Sequence, residues 1–230
     1  MIAIVGGGVT GLGLAHQLAA RGVEHVVLEG EERPGGVMRS GRVDGHLLEW
    51  GPQRTRLTAA MGELVARLGI ADEVITAPPG LPLYVYRAGR LRRVPFSAAD
   101  FLRTDLFSPA AKVRVLLEPF TAGARPEESV GSFFERKVGR QAYENLLGPL
   151  YGGLYASDPA DMVVGLSLGH ALREFGIRRS LLRPLLKRRG HLDPPPAVSF
   201  REGMQTLPLA LHRANEENVR LATPVLRMRR

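Results

Sequence analysis

The chain has 230 residues, 44% of them hydrophobic, and its 31 Lys and Arg outnumber 23 Asp and Glu for a formal charge of +8. That length suits one large core or two modest ones, and the lack of cysteine excludes disulfides, thiolate metal sites and cysteine nucleophiles. The positive charge suits an anionic ligand, a membrane surface or nucleic acid; no nucleic-acid module is legible, and solubility accounts for most surface arginines.

Ile2, Ala3, Ile4 and Val5 form a short apolar run that predicts a strand buried on both faces. Gly6, Gly8 and Gly11 then spell G-x-G-x-x-G, and Leu12, Ala15, Leu18 and Ala19 predict a helix that stops at Gly22. A second strand through Val26, Val27 and Leu28 closes on Glu29. In such a unit the first glycine permits a tight turn, the second lets backbone approach a pyrophosphate, and the third lets helix and strand pack closely. The helix N-terminus offers N–H groups and the positive end of its dipole. A carboxylate at Glu29 is placed to accept ribose hydroxyls, so the stretch predicts dinucleotide binding.

Arg33, Pro34, Gly35 and Gly36 follow at once, where a glycine pair lets backbone pass a cofactor and an arginine can neutralise phosphate. Val43 to Trp50 predicts a hairpin turning at Asp44-Gly45, leading into the tight loop Gly51-Pro52-Gln53-Arg54. A helix is expected over 57–68 with Gly69 as its cap, and Pro78-Pro79-Gly80 marks a domain boundary. A second hairpin flanks Ala88-Gly89.

From Ser97 the pattern turns helical, with helices expected over 98–102, 109–119, 129–138 and 140–150. Ser129 is the expected cap of the third, with Ser132 as an alternative. Arg173 to Arg189 reads as a basic amphipathic helix interrupted by Pro184, fitting either a solvated helix or the inner face of a membrane. Asp193 to Pro196 reads as a stiff linker. Ala197–Phe200 predicts a strand, 207–214 a helix, and Val219–Met228 a terminal strand interrupted at Pro224. The expected domains are 1–80, an insert over 81–196, and a return over 197–230. The strand begins at residue 2 and the longest uncharged apolar stretch, Leu146–Ala156, is too short to span a bilayer. Both features predict a cytoplasmic protein.

Separated stretches resemble one family. The opening fingerprint and ERPGGVMRS are shared across the FAD-linked amine oxidase superfamily. GRLRRVP, ESVGSFFERKVGR, GPLYGGLYASDP and SFREGMQTLP, in that order, resemble the N-terminal half of the oxygen-dependent protoporphyrinogen and coproporphyrinogen oxidases. The resemblance implies an α/β fold: a Rossmann-like FAD-binding domain with a mostly helical substrate-domain insert, truncated at the C-terminus. It implies FAD as cofactor, a tetrapyrrole substrate and O2 as acceptor in haem biosynthesis.

By the same resemblance Gly6, Gly7, Gly8, Val9, Thr10 and Gly11 bind the pyrophosphate and Glu29 the ribose. Arg33, Gly36 and Val37 continue that wall. Gly51, Pro52, Gln53 and Arg54 pass the flavin end, Val225 meets adenine through its backbone, and Gly153 lines the tetrapyrrole pocket. Leu83 departs from the pattern, since relatives carry a basic residue before the Tyr84-Val85-Tyr86 strand; Arg87 or Arg90 lies nearby. No side chain is assigned to acid–base or nucleophilic catalysis, and the six histidines lack metal-ligand spacing. Family members are about twice as long, which leads to the expectation of weak FAD binding and little turnover. The alternatives are another FAD-dependent amine oxidase or carotenoid-type desaturase, and a non-catalytic flavoprotein fragment.

Overall fold

The computed structural model describes residues 1–78, 80–174, 176–183 and 195–229. The chain forms two compact units, Met1–Pro79 with Asp193–Arg230, and Gly80–Leu192.

In the first unit β1 (Ile2–Val5), α1 (Val9–Ala19) and β2 (His25–Leu28) form a parallel β-α-β crossover. Gly22, at φ +65°, follows the helix in the left-handed conformation that glycine favours. β3 (Ser40–Val43) and β4 (His46–Glu49) form a separate antiparallel hairpin. Asp44 and Gly45 both take positive φ, as a two-residue type I′ turn requires. Next come β5 (Thr55–Arg56), α2 (Ala59–Arg67) and β6 (Val74–Thr76). The helix starts at Ala59 rather than Leu57, because Thr58 Oγ1 accepts the Met61 N–H and Thr55 and Arg56 just upstream pair as β5.

The second unit opens with the hairpin β7 (Tyr84–Arg87) and β8 (Arg90–Arg93), followed by α3 (Ala98–Arg103) and α4 (Pro109–Leu116). The helix expected to reach Pro119 stops at Leu116 and gives way to a 3₁₀ turn, Glu118–Phe120. Ser129 Oγ accepts the Ser132 N–H and starts α5 (Val130–Val138), so Ser132 is not the start. The helix expected over 140–150 is longer and interrupted: α6 (Arg140–Ala142), a π-turn at Tyr143–Leu147, then α7 (Gly148–Tyr155).

A further helix, α8 (Leu168–Glu174), was not legible beforehand. It ends where the basic amphipathic helix of 173–189 was expected. Arg178, Arg179 and Ser180 are not helical. Here the chain is held instead by the Glu118 carboxylate, which accepts from Ser180 Oγ at 2.7 Å and Leu181 N at 2.9 Å. Residues 184–189, and Asp193 and Pro194 of the expected linker, lie outside the described residues.

Returning to the first unit, β9 (Ala197–Phe200) inserts between β5 and β6, antiparallel to both. α9 (Thr206–Arg213) packs on α1, and β10 (Val219–Arg220) joins β2 in parallel. The strand expected over 219–228 is therefore only two residues long. Beyond it the backbone turns to Glu29 and Glu31, whose carbonyls accept from Thr223 N and Ala222 N. Leu12, Val27, Phe200, Met204, Leu207 and Leu211 are fully or almost fully buried in one core. Each such side chain contributes about 1.5–3 kcal/mol by burial. β1 is not buried on both faces: Ile2 is 43% and Val5 55% exposed, because β1 is an edge of a three-stranded sheet, β1-β2-β10.

Candidate functional site

The six residues Gly6 to Gly11 divide into positions that shape backbone and positions that leave it open. Gly6 has φ +104°, and a Cβ on Gly11 would lie 2.0 Å from the Gly6 carbonyl oxygen, so the turn and the helix start exclude any side chain there. A Cβ on Gly7 would strike the Glu29 side chain at 2.9 Å. At Gly8 a Cβ would meet nothing within 4 Å. Gly8 precedes α1 and offers no side-chain cap, and the first intrahelical bond runs from Leu12 N to Gly8 O. The N–H groups of Val9, Thr10 and Gly11 thus lie in the uncapped first turn of a helix beside an open backbone, an arrangement that favours an anion.

Glu29 is 9% exposed. Its Oε2 accepts from Gly7 N at 2.5 Å and its Oε1 from Glu31 N at 2.9 Å. Each carboxylate oxygen has two lone pairs, so each retains capacity for one more donor. The carboxylate is fixed by backbone and placed at the tip of β2, as a ribose acceptor needs.

The loop after β2 folds back over the turn. Gly35 N donates to Gly7 O at 2.8 Å, and a Cβ on Gly36 would lie 3.4 Å from Gly8 Cα. Gly35 at φ +109° and Gly36 at φ +56° permit this crossing. Arg33, expected to face phosphate, donates from Nη2 to Gly36 O at 2.9 Å and so shapes its own loop. Val37 is 80% exposed. The Gly51–Arg54 loop meets this segment at one point: a Cβ on Gly51 would lie 1.9 Å from Val37 O. Pro52, Gln53 and Arg54 are exposed. Val225, half-buried, follows Thr223, whose N–H donates to Glu29 O at 2.7 Å, and Pro224 lies against Gly30.

The first unit therefore brings Gly6–Gly11, Glu29 and Gly36 together. Val37 and Gly51 meet beside them, and the chain approaching Val225 crosses Glu29. A dinucleotide pyrophosphate fits this arrangement through the open face of Gly8, where backbone N–H groups are reachable and no side chain intrudes.

In the second unit Gly153 is exposed on α7, next to Leu154 and Tyr155, and a Cβ there would meet nothing within 4 Å. Tyr155 packs against Tyr151 with ring centroids 4.6 Å apart and the rings tilted by 39°. Leu83 is 42% exposed, and Arg87 is drawn toward Glu144 at 3.7 Å. A cavity of about 420 Å³ in this unit is lined by Arg87, Arg92, Asp105, Arg140 and Glu144; of the residues singled out from the sequence it includes Arg87 but not Gly153 or Leu83. Among the described residues there is no cluster of three or more His, Asp or Glu able to hold a metal ion, and no helix long and apolar enough to cross a membrane.

Sequence reasoning missed the contact between Glu49 and the 203–205 turn. Glu49 Oε1 accepts from Met204 N at 2.8 Å and Oε2 from Ser40 Oγ at 2.7 Å. The signal was present: in β4 the inward positions are Leu47 and Glu49, and an acid on the inward side of a strand needs a partner. Lys137 was missed for the same reason. It falls on the buried side of α5 with Phe133 and Phe134, and its ammonium pairs with Glu118 at 2.5 Å, both side chains fully buried.

The model of the flavin containing amine oxidoreductases matches residues 9–230 of this chain. Protoporphyrinogen oxidase 1 of Spinacia oleracea is 31% identical over 232 residues, covering 90% of this chain and 41% of that protein. Coproporphyrinogen III oxidase of Staphylococcus aureus is 33% identical over 170 residues, covering 68% and 36%. The chain thus spans less than half the length of these two relatives. The structure of cyclohexylamine oxidase from Brevibacterium oxydans superimposes with a TM-score of 0.64 at 17% identity, covering 97% of this chain and 51% of that one. Fold, glycine cradle and sequence agree that the chain belongs to the flavin containing amine oxidoreductase family.

Proposed function

We propose that this chain carries the FAD-binding cradle and part of the substrate unit of an oxidase that converts a porphyrinogen, protoporphyrinogen IX or coproporphyrinogen III, to the porphyrin with O2 as acceptor. The observation that carries the cofactor assignment is the open Gly8 face beside a backbone-fixed Glu29. The substrate class is supported by the names of the relatives in spinach and Staphylococcus. When bound, the flavin supplies acceptance of a hydride from a macrocycle carbon, and reduction of O2 completes the cycle.

The protein's part is binding and orientation. Gly6–Gly11 receive the pyrophosphate, with the first-turn N–H groups of α1 as donors. Glu29 accepts ribose hydroxyls while Gly7 and Glu31 hold its carboxylate in place. Arg33 and Gly36 shape the covering loop, with Val37 at its edge, and Gly51–Arg54 runs beside the flavin end. Backbone at Val225 meets adenine. In the second unit Gly153, where a Cβ would meet nothing within 4 Å, leaves room beside the tilted Tyr151–Tyr155 pair for the puckered macrocycle of a porphyrinogen. Arg173, Arg178, Arg179 and Arg183 are exposed, and within 173–189 they offer contact to an anionic membrane surface. Cosedimentation with anionic vesicles that is lost at high salt is the expected behaviour; binding to neutral vesicles alone rejects that contact.

Reconstitution with FAD followed by gel filtration tests the cofactor assignment. With the column equilibrated in FAD, as weak binding requires, flavin absorbance is expected to travel with the protein, and to be lost in a Glu29→Ala variant. Anaerobic mixing of the reconstituted chain with each porphyrinogen, an amine and a carotene then separates the substrate classes, with bleaching by a porphyrinogen alone as the expected result.

A further inference from the structure

We propose that Glu49 is a positioning residue, which holds the β3/β4 hairpin, and with it the Gly51–Arg54 loop, at a fixed spacing from the Gly6–Gly11 cradle. The proposal rests on the dinucleotide reading above.

The hairpin is a two-stranded sheet with no ladder to the rest of the unit, and such ribbons hold little orientation of their own. It is anchored at its open end. Besides the two bonds that Glu49 accepts, Ser40 N donates to Gln205 Oε1 and Gln205 N to Ser40 Oγ, both at 3.0 Å. These four bonds close a ring between the paired residues Ser40 and Glu49 and the Gly203–Gln205 turn. A Cβ on Gly203, at φ +88°, would lie 2.7 Å from Glu49 Oε1, so the turn is shaped to the carboxylate.

The turn is a firm reference. Met204 and Leu207 are fully buried in the core, and α9 packs on α1, the helix of the cradle. Pro208 of α9 stands against Gly35, which is bonded to Gly7. Cradle, α9 and turn therefore form one packed body without Glu49, whereas the hairpin is joined to it through the Glu49 ring and, further along β3, through an exposed ion pair of Arg42 with Glu202 at 3.1 Å, which as a surface pair holds it more weakly. Glu49 is two residues from Gly51.

This arrangement separates the two ends of the ligand. ADP needs only the cradle and Glu29, whereas FAD also needs the Gly51–Arg54 loop. The lone tryptophan, Trp50, lies between Glu49 and Gly51 and reports on that loop by its emission. Titrations of the 230-residue chain with FAD and with ADP, in wild type, Glu49→Ala, Gln205→Ala and the double variant, test the proposal. Either single change is expected to raise the Kd for FAD about tenfold, as for loss of a buried hydrogen-bond partner. The Kd for ADP should change by less than about twofold, and the double variant should bind FAD no more weakly than the worse single one. Equal weakening of FAD and ADP, the mark of general destabilisation, would overturn the proposal, as would unchanged FAD affinity. Should Glu49→Ala not fold, Glu49→Gln, which keeps an acceptor for Met204 N, is read by the same two ratios. A wild-type chain that binds neither ligand would reject the dinucleotide reading itself.

Discussion

Single glycines of the cradle do opposite things, and that difference can be measured. Gly11→Ala places a methyl group 2.0 Å from a backbone oxygen, so α1 must shift from the turn and the apo fold should lose stability. Gly8→Ala meets nothing within 4 Å and its φ of −71° is ordinary for alanine, so the apo stability should stay within about 0.5 kcal/mol of wild type. FAD affinity should nevertheless fall, because the new methyl group occupies the space through which the pyrophosphate reaches the helix. Thermal melts of both apo variants beside FAD titrations check this. A Gly8→Ala chain that binds FAD normally would show that the open face is not the ligand's. The acid at Glu29 was legible because its role needs only a position at the end of a strand. Glu49 was not, since Met204, whose N–H it accepts, lies 155 residues away along the chain.

At the scale of elements, the stretch ESVGSFFERKVGR emerges as structural. Ser129 caps α5, Arg136 bonds Glu128 and the carbonyls of Ala122 and Gly123, and Lys137 bonds Glu118 and the Arg179 carbonyl. Gly139 turns the chain at φ +88° with Arg114 against it. Burial pushes the Glu118 carboxyl up, but the hydrogen bonds from Lys137, Ser180 and Leu181 outweigh it and hold the group below its ordinary value. A depressed carboxylate stabilises the fold fully above its unfolded pKa, and that contribution is lost as pH falls through the folded one. The second unit should therefore weaken below about pH 4, and Glu118→Gln should flatten that part of the stability–pH curve. Lys137→Met leaves Glu118 buried without its cation and should cost about 3–5 kcal/mol, read by denaturant melts. The two hairpins and the opening β-α-β unit were legible because their signals are local: turn residues and spacing. β5, two residues long, was not, since it carries no pattern and exists only through its distant partner β9; β10 was legible at its start but not in its length, because β2 pairs only Val219 and Arg220. The 173–189 helix was misread at its start because periodicity cannot register that Glu118, some sixty residues earlier, claims the N–H groups of Leu181 and Leu182.

For the whole molecule, a ligand that binds only the folded chain raises its apparent stability by mass action. FAD at a hundredfold excess over its Kd should add about 2.7 kcal/mol, whereas riboflavin, which lacks both phosphate and adenosine, should add almost nothing. A melting point indifferent to FAD would reject the cradle as a dinucleotide site. The placement of β9 sets a further condition on how the chain is made. The strand that completes the β5-β9-β6 sheet is synthesised only after the entire second unit. At ribosomal rates β6 waits on the order of ten seconds for its central partner. During that interval β5 and β6 expose open edges while the second unit, continuous in sequence, is free to fold. Birth order thus runs opposite to chain order: the inserted unit can mature first, and the nucleotide cradle that begins the chain is among the last parts to close.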